Sequence, residues 1–80
     1  MNENQKKLDD LFSELIALQQ AKIMTCAESV IPHITSDDLL QPNDFAELEN
    51  HPYFRYEEGV LEGLRTARMA ILAWQQEKIY

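Results

Sequence analysis

The sequence predicts an all-α fold, in which two long helices form an antiparallel hairpin and an acidic connector with one or two short helices joins them. Two long segments with helical apolar periodicity, residues 4–31 and 53–78, indicate the long helices. Three prolines, Pro32, Pro42 and Pro52, interrupt the pattern between these segments. Because proline lacks a backbone donor and biases the residue before it away from helix, residues 32–52 are predicted to be the connector. The whole chain, residues 1–80, is predicted to be one helical domain.

The first segment has one wide apolar face. At about 100° per residue, nine residues fall within one arc of roughly 160°: Leu8, Leu11, Phe12, Leu15, Ile16, Leu18, Ile23, Cys26 and Val30. Asn2 or Asn4 can cap its start. Gln19 lies near the middle of the arc, where we interpret it as a polar residue at a splayed point of the interface. The alternatives are a buried amide that fixes helix register and a ligand contact. Met24 lies outside the arc and could join a contact surface.

The second segment also has an apolar face, and it contains two interior glycines. The apolar residues that share this face are Val60, Leu61, Leu64, Ala67, Ile71, Leu72, Trp74 and Ile79. Gly59 and Gly63, with Ala67 and Ala70, form a line of small residues on its flank. Each glycine costs about 1 kcal/mol relative to alanine inside a helix. We expect close approach of the first helix or of the connector to offset this cost, with a helix of a partner chain as the alternative.

The connector is predicted to hold short helices near residues 36–40 and 44–49. Thr35 with Asp38, and Asp44 with Glu47, have the spacing of capping pairs. Its apolar residues are too numerous for a solvated linker, so we expect them to fold back over the hairpin as a lid. They are Leu39, Leu40, Phe45, Leu48, Tyr53 and Phe54.

The charge of the chain disfavours two classes of partner. Fourteen acidic and seven basic residues give a net charge of −7, and residues 32–56 hold five of the acids against Arg55 alone. Nucleic acids and anionic membranes attract clustered Lys and Arg, so neither is expected as a partner. No apolar run approaches the roughly 20 residues that span a bilayer. With one cysteine and no signal segment, we expect a cytoplasmic protein.

The sequence carries no pattern typical of catalysis, so we expect no enzyme, no catalytic residue, no cofactor and no metal. His33 and His51 lack the spacing of helical metal ligands and lie beside prolines, where we interpret each as a turn residue or a polar cap. Cys26, on the apolar face, is expected to behave as a small hydrophobic residue with no neighbouring base to lower its pKa.

The favoured function is therefore a non-enzymatic protein–protein interaction module, such as an adaptor, a chaperone or a regulatory subunit. A two-helix hairpin leaves one side of each apolar face uncovered, so either the connector closes the core or two chains pair as a homodimer in a four-helix bundle. The acidic connector would favour a basic partner surface. The candidate partner-binding residues are Phe12, Ile16, Gln19, Ile23, Asp37, Asp38, Asp44, Tyr53, Phe54 and Trp74.

The alternative function is a regulator that binds a small molecule or a metal in a cavity under the connector. His51, Glu58 and Arg68 are its candidate polar groups. For Arg68, the competing interpretation is a side chain that extends along the edge of the apolar face and keeps its charge in water.

Overall fold

The protein is a long antiparallel helical hairpin with its connector packed against one end. A computed structural model describes residues 2–77. It contains α1 (Glu3–Val30), two single 3₁₀ turns (Asp38–Leu40 and Pro42–Asp44), α2 (Ala46–Glu49) and α3 (Pro52–Glu77), and no strand occurs among the described residues. The molecule measures 49 × 19 × 18 Å. The all-α class and the pairing of two long helices are thus confirmed.

Helix α1 begins one residue earlier than predicted because Asn2, rather than Asn4, caps it. Its side-chain oxygen accepts a hydrogen bond from the Gln5 backbone N–H, and the Gln5 side chain accepts one from the Asn2 backbone N–H, both at 2.8 Å. This reciprocal pair is a capping box, which satisfies two donors that the first turn would otherwise leave free.

A tight turn ends α1 and directs the chain back toward the hairpin. The N–H of Ile34 donates to the Ile31 carbonyl at 3.3 Å, and His33 has a φ of +73°. Proline at the second position and a positive φ at the third are the marks of a type II turn, in which glycine is the usual third residue. His33 is therefore a turn residue, and the turn delivers Ile34 to a buried position.

The rest of the connector differs in detail from the prediction. The Thr35–Asp38 capping pair is confirmed, since the Thr35 N–H donates to the Asp38 carboxylate at 2.9 Å and the Asp38 N–H to the Thr35 hydroxyl at 3.2 Å. The predicted helix at 36–40 is only the turn Asp38–Leu40, and Pro42 opens a further turn that was not predicted. The predicted helix at 44–49 is Ala46–Glu49.

The Asp44–Glu47 capping pair is wrong. Asp44 is the last residue of the Pro42–Asp44 turn, and its N–H donates to Gln41. Phe45 therefore occupies the N-cap position of α2, and no side chain caps it.

Helix α3 starts at Pro52, where proline is well tolerated because the first helical N–H has no partner within the helix. The Phe54 N–H donates to Nδ1 of His51 at 3.3 Å, so His51 acts as a polar cap. The predicted helix extended from 53 to 78; residue 78 lies outside the described residues.

The core lies at the connector end of the hairpin. Its buried apolar residues are Ile23, Ala27, Ile34, Leu48 and Phe54. The predicted lid is confirmed for Leu48 and Phe54, and Leu39 and Phe45 pack against this core in half-buried positions. It is wrong for Leu40, at the end of the Asp38–Leu40 turn, and for Tyr53, on the solvent side of the first turn of α3, which are 77% and 74% exposed.

The two glycines of α3 are not explained by packing within the chain, so that prediction was wrong. A methyl group added at Gly59 or Gly63 would have no non-local heavy atom within 4 Å. Both glycines, with Ala67 and Ala70, are exposed on the described chain. At about 100° per residue they face away from the residues of α3 that contact α1.

Candidate protein-binding surfaces

A groove of about 840 Å³ lies between α1, the Asp38–Leu40 turn and α3. Ile23, Phe54 and Leu61 give it an apolar floor, and Leu39 and Leu40 form the side contributed by the connector. Its volume is within the range of roughly 300–1,000 Å³ typical of ligand pockets, but the groove is partly open to solvent. We call it the connector groove, and its lining residues are Gln20, Ile23, Met24, Ser36, Leu39, Leu40, Phe54, Arg55, Glu58, Gly59, Leu61, Glu62 and Arg65.

Local hydrogen bonds fix the two sides of this groove. His51 caps the first turn of α3 and so holds Phe54, which is 1% exposed. The reciprocal bonds of Thr35 and Asp38 hold the turn that carries Leu39 and Leu40. Both sides of the groove are thus held by hydrogen bonds within the chain itself.

The rim of the connector groove carries two ion pairs within α3. Arg55 lies 3.2 Å from Glu58, and Arg65 lies 3.5 Å from Glu62, each at a spacing of three residues. Three of these four side chains are largely exposed, and exposed ion pairs of this kind contribute about 1 kcal/mol or less. The carboxylates can therefore exchange their arginine partners for the cations of another molecule.

A second surface lies on the opposite side of the hairpin. On α1, helical periodicity places the groove residues Gln20 and Met24 about 100° and 140° from Gln19 in one direction around the helix. Leu15 and Leu18 lie about 40° and 100° from Gln19 in the opposite direction. The same rule places Val60, Ala67 and Trp74 on the side of α3 away from the groove. We call this surface the open face, and its members are Leu11, Leu15, Leu18, Val60, Ala67 and Trp74.

The open face is apolar and poorly covered. Leu11, Leu15, Leu18 and Trp74 are between 39% and 58% exposed, and Val60 is half-buried. No residue in the described ranges 2–18 and 55–77 is buried. The half of the hairpin that holds the chain termini therefore has two helices in contact but no closed core.

Two side-chain links within residues 2–77 help to set the register of the hairpin. The Gln19 amide donates to the Glu57 carbonyl at 2.9 Å and to the Glu57 carboxylate at 2.6 Å. Gln19 is 6% exposed, so it is a buried amide and not a polar residue at a splayed point. This confirms the interpretation in which Gln19 joins the two helices at a fixed register.

The other link lies toward the termini. Nε of Arg68 donates to Asp9 at 2.8 Å, and its Nη2 donates to the second carboxylate oxygen at 3.3 Å. The hydrogen bond from Arg68 holds the pKa of Asp9 below its usual 3.8, and the carboxylate raises the pKa of Arg68. Arg68 is therefore occupied by an ion pair between the helices.

The candidate polar groups of the ligand-binding alternative do not come together. His51 caps α3, Glu58 pairs with Arg55 at the groove rim, and Arg68 pairs with Asp9 near the termini. Glu58 and Arg68 are ten residues apart on one helix, which is about 15 Å. Among residues 2–77, no group of three or more His, Cys, Asp or Glu side chains is placed to hold a metal ion.

Cys26 is half-buried beside the core. Burial raises the pKa of its thiol, and the nearby carboxylate of Glu57 raises it further. Both effects disfavour the reactive thiolate.

The predicted partner-binding residues occupy different environments. Gln19, Ile23 and Phe54 are buried in the chain itself, although the last two form the floor of the connector groove. Phe12 and Ile16 are half-buried between the helices, and Asp38 is engaged with Thr35. The remaining candidates are exposed, namely Asp37, Asp44, Tyr53 and Trp74.

Sequence reasoning missed several surface residues that the structure brings forward. Leu11, Leu15 and Leu18 belong to the apolar face that was expected to stay partly uncovered, but they were not among the candidate partner-binding residues. Their signal was the width of the apolar arc, which exceeds what one neighbouring helix can cover. Met24 was noted outside the arc, and it lines the connector groove.

The charge of the molecule is concentrated at the connector end. Between Lys22 and Arg55 the chain has no Lys or Arg, yet it contains six acids: Glu28, Asp37, Asp38, Asp44, Glu47 and Glu49. Five of these six are exposed, and Asp38 is half-buried. Of these six acids, Asp37 and Asp38 lie directly beside the groove-lining residues Ser36 and Leu39.

No protein-family model, curated protein or solved structure matches the chain significantly. No helix within residues 2–77 has the length and apolar character needed to cross a membrane. Function must therefore be inferred from the surfaces themselves.

Proposed function

We propose that this chain is a non-enzymatic protein–protein interaction module, of the kind used as an adaptor, a chaperone or a regulatory subunit. In this proposal the open face is the main contact surface, and a second copy of the chain covers it to form a four-helix bundle. Acidic residues of the connector then remain free to attract a partner with a basic surface. The single cysteine fits a cytoplasmic setting, where Cys26 would remain a thiol.

The observation that supports the proposal is the absence of burial in one half of the hairpin. Residues 2–18 and 55–77 make up half of the described chain and include no buried side chain. A domain normally buries the apolar face of each helix against another layer. The connector supplies that layer at one end only, so the other end needs a partner to complete its core.

Pairing of two hairpins meets this need. Two antiparallel hairpins can bury their apolar faces together as a four-helix bundle. In a twofold arrangement each copy contributes the same surface, so the α1 leucines of both copies pack into one shared core. Exposed leucines on adjacent turns, such as Leu11, Leu15 and Leu18, suit this packing.

Light scattering across a micromolar dilution series tests the proposal. We expect the native mass to be twice 9.3 kDa at high concentration. Replacing Leu15 and Leu18 together with Gln should give a folded monomer, because it removes the apolar contact while keeping a similar helix propensity. Leu40→Gln is the matched control, since Leu40 is exposed at the connector end and its loss should leave the mass unchanged. A monomer at every concentration of the unmodified chain would contradict self-pairing.

A further inference from the structure

The connector groove has the length of a short helix. Its lining on α3 extends from Phe54 to Arg65, which is about 17 Å at 1.5 Å per residue. Three helical turns occupy nearly the same distance. Ile23, Phe54 and Leu61 give the groove an apolar floor that is continuous with the core of the chain.

The fold favours a helical occupant over an extended one. An extended peptide binds best by adding a strand to a sheet edge, and the described residues contain no strand. An amphipathic helix instead places its apolar face into a groove between helices. Gly59, which lines the groove and has open space beside it, allows the backbone of such a helix to approach closely.

The charge around the groove favours a positively charged occupant. Asp37 and Asp38 lie on the part of the connector that lines the groove through Ser36, Leu39 and Leu40, in a stretch from residue 23 to residue 54 without Lys or Arg. Glu58 and Glu62 add two carboxylates on the rim, held only by the weak, mostly exposed pairs with Arg55 and Arg65. A second copy of this chain, with net charge −7, would bring further acids to this surface and be repelled. A basic segment would be attracted.

We infer that the connector groove binds a basic amphipathic helix of a partner protein, about three turns long. Apolar side chains of that helix enter the groove over Ile23, Phe54 and Leu61, and its Lys or Arg residues pair with Glu58, Glu62 and the acids of the connector. The inference rests on the proposed function, since it gives a partner class to an interaction module. It uses a different surface from the open face.

A model peptide tests this directly. The probe is an acetylated and amidated peptide of Leu and Lys, about 14 residues or four turns long, with its leucines on one helical face. Titration into the full chain by calorimetry should show saturable binding that weakens as salt is raised. A Leu and Glu peptide of the same pattern, and a Leu and Lys peptide of shuffled order, should each bind at least about tenfold more weakly.

Paired variants locate the binding on the groove. Gly59→Gln fills the wall of the groove, whereas Gly63→Gln makes the same change on α3 outside its lining. Both should raise the melting temperature, because each removes a helical glycine. Only Gly59→Gln should weaken binding of the Leu and Lys peptide, by at least about tenfold.

Charge variants on the rim of the groove should change the affinity for the Leu and Lys peptide in opposite directions. Glu62→Gln should weaken binding of the peptide severalfold, while Arg65→Gln frees Glu62 from its partner and should strengthen it. Glu14→Gln on α1 changes charge by the same amount far from the groove and should have little effect.

The results separate this inference from the proposed function. Equal binding of the shuffled peptide, or equal loss in the two glycine variants, would overturn the inference. It would also be overturned if the Leu and Glu peptide bound as well, or if Gly59→Gln dissociated a dimer without any peptide binding. In each case the self-association measured through Leu15 and Leu18 still decides the proposed function independently.

Discussion

The two ends of this hairpin are built from the same helices but reach different degrees of burial. At the connector end, Ile23 and Ala27 of α1 and Phe54 of α3 are buried with Ile34 and Leu48 of the connector. Toward the termini, α1 and α3 present Leu11, Leu15, Leu18, Val60 and Ile71, none of which is buried. Apolar content does not distinguish the ends, since both faces are rich in leucine and isoleucine.

The difference is a third layer. Two helices alone cover only a narrow strip of each apolar face, and additional packed elements are needed to exclude water from the rest. Leu48, from the single turn of α2, is 0% exposed because it packs between α1 and α3. A four-residue helix thus closes one end of the molecule, and nothing in the described chain does so for the other.

The largest expected effect on stability comes from replacing a leucine with alanine at the connector end, compared with the same replacement toward the termini. Leu48→Ala should lower the free energy of unfolding by about 2–4 kcal/mol, because it leaves a cavity in the closed core. Leu18→Ala should change it by about 0.5 kcal/mol or less in the monomer, because Leu18 is already 58% exposed. Urea unfolding monitored by circular dichroism measures both.

Dimerisation should change the cost of Leu18→Ala. Measured at concentrations where the chain is paired, Leu18→Ala should become more costly, since pairing stabilises the folded state by mass action. If Leu18→Ala were as costly as Leu48→Ala even at high dilution, the terminal half would have a closed core of its own, contrary to the structure.

The next largest effect on stability is expected at Gln19, which lies between the two ends of the hairpin. Gln19→Met removes the amide that donates to Glu57 while keeping a long side chain of similar shape, and should cost about 1–2 kcal/mol. Gln20→Met is the control at the adjacent, exposed position and should be nearly neutral. Thermal unfolding of the two variants gives the comparison, and equal melting temperatures would mean that the buried amide adds no stability.

The type II turn at the connector end predicts a gain in stability. His33 holds a positive φ that a residue with a side chain adopts at a cost of order 1 kcal/mol. His33→Gly should therefore raise the free energy of unfolding by up to about 1 kcal/mol, partly offset by the greater freedom of glycine in the unfolded chain. A fall in the melting temperature on this substitution would indicate that the His33 side chain makes a stabilising contribution.

The elements that sequence predicts best are those set by local chemistry. The apolar periodicity and the prolines locate both ends of α1 and the start of α3 to within about a residue. The Thr35–Asp38 pair follows from spacing alone, and Asn2 was one of the two caps predicted for α1, with Asn4 as the other. By contrast, Asp44 and Glu47 have the spacing of a capping pair, but Asp44 belongs to the 3₁₀ turn, where its backbone N–H donates to the Gln41 carbonyl. The helix therefore starts at Ala46.

The surfaces were harder to predict because they depend on which of two opposite edges the connector covers. Periodicity assigned Leu15 and Leu18 to the apolar face, yet only the packing of Leu39, Leu48 and Phe54 shows that this edge stays open. The same packing leaves Gly59 and Gly63 without neighbours, where sequence reasoning expected close contact. The connector groove is likewise a product of three separate elements.

The smallest expected effect concerns the ion pair between Asp9 and Arg68, which links the helices toward the termini and loses its negative charge when Asp9 is protonated in acid. Because Arg68 lowers the pKa of Asp9 in the folded chain below 3.8, the pair stabilises the fold above that pH. This contribution should disappear as the pH falls through the lowered pKa, since the folded state must then take up the proton. Asp9→Asn should thus be less stable than the unmodified chain at neutral pH, and the difference should shrink below about pH 4. Asp10→Asn is the matched control at the neighbouring exposed acid, and thermal unfolding from neutral to strongly acidic pH measures all three chains. A difference between Asp9→Asn and the unmodified chain that stayed constant with pH would show that Arg68 holds the two helices together by packing and not by its charge.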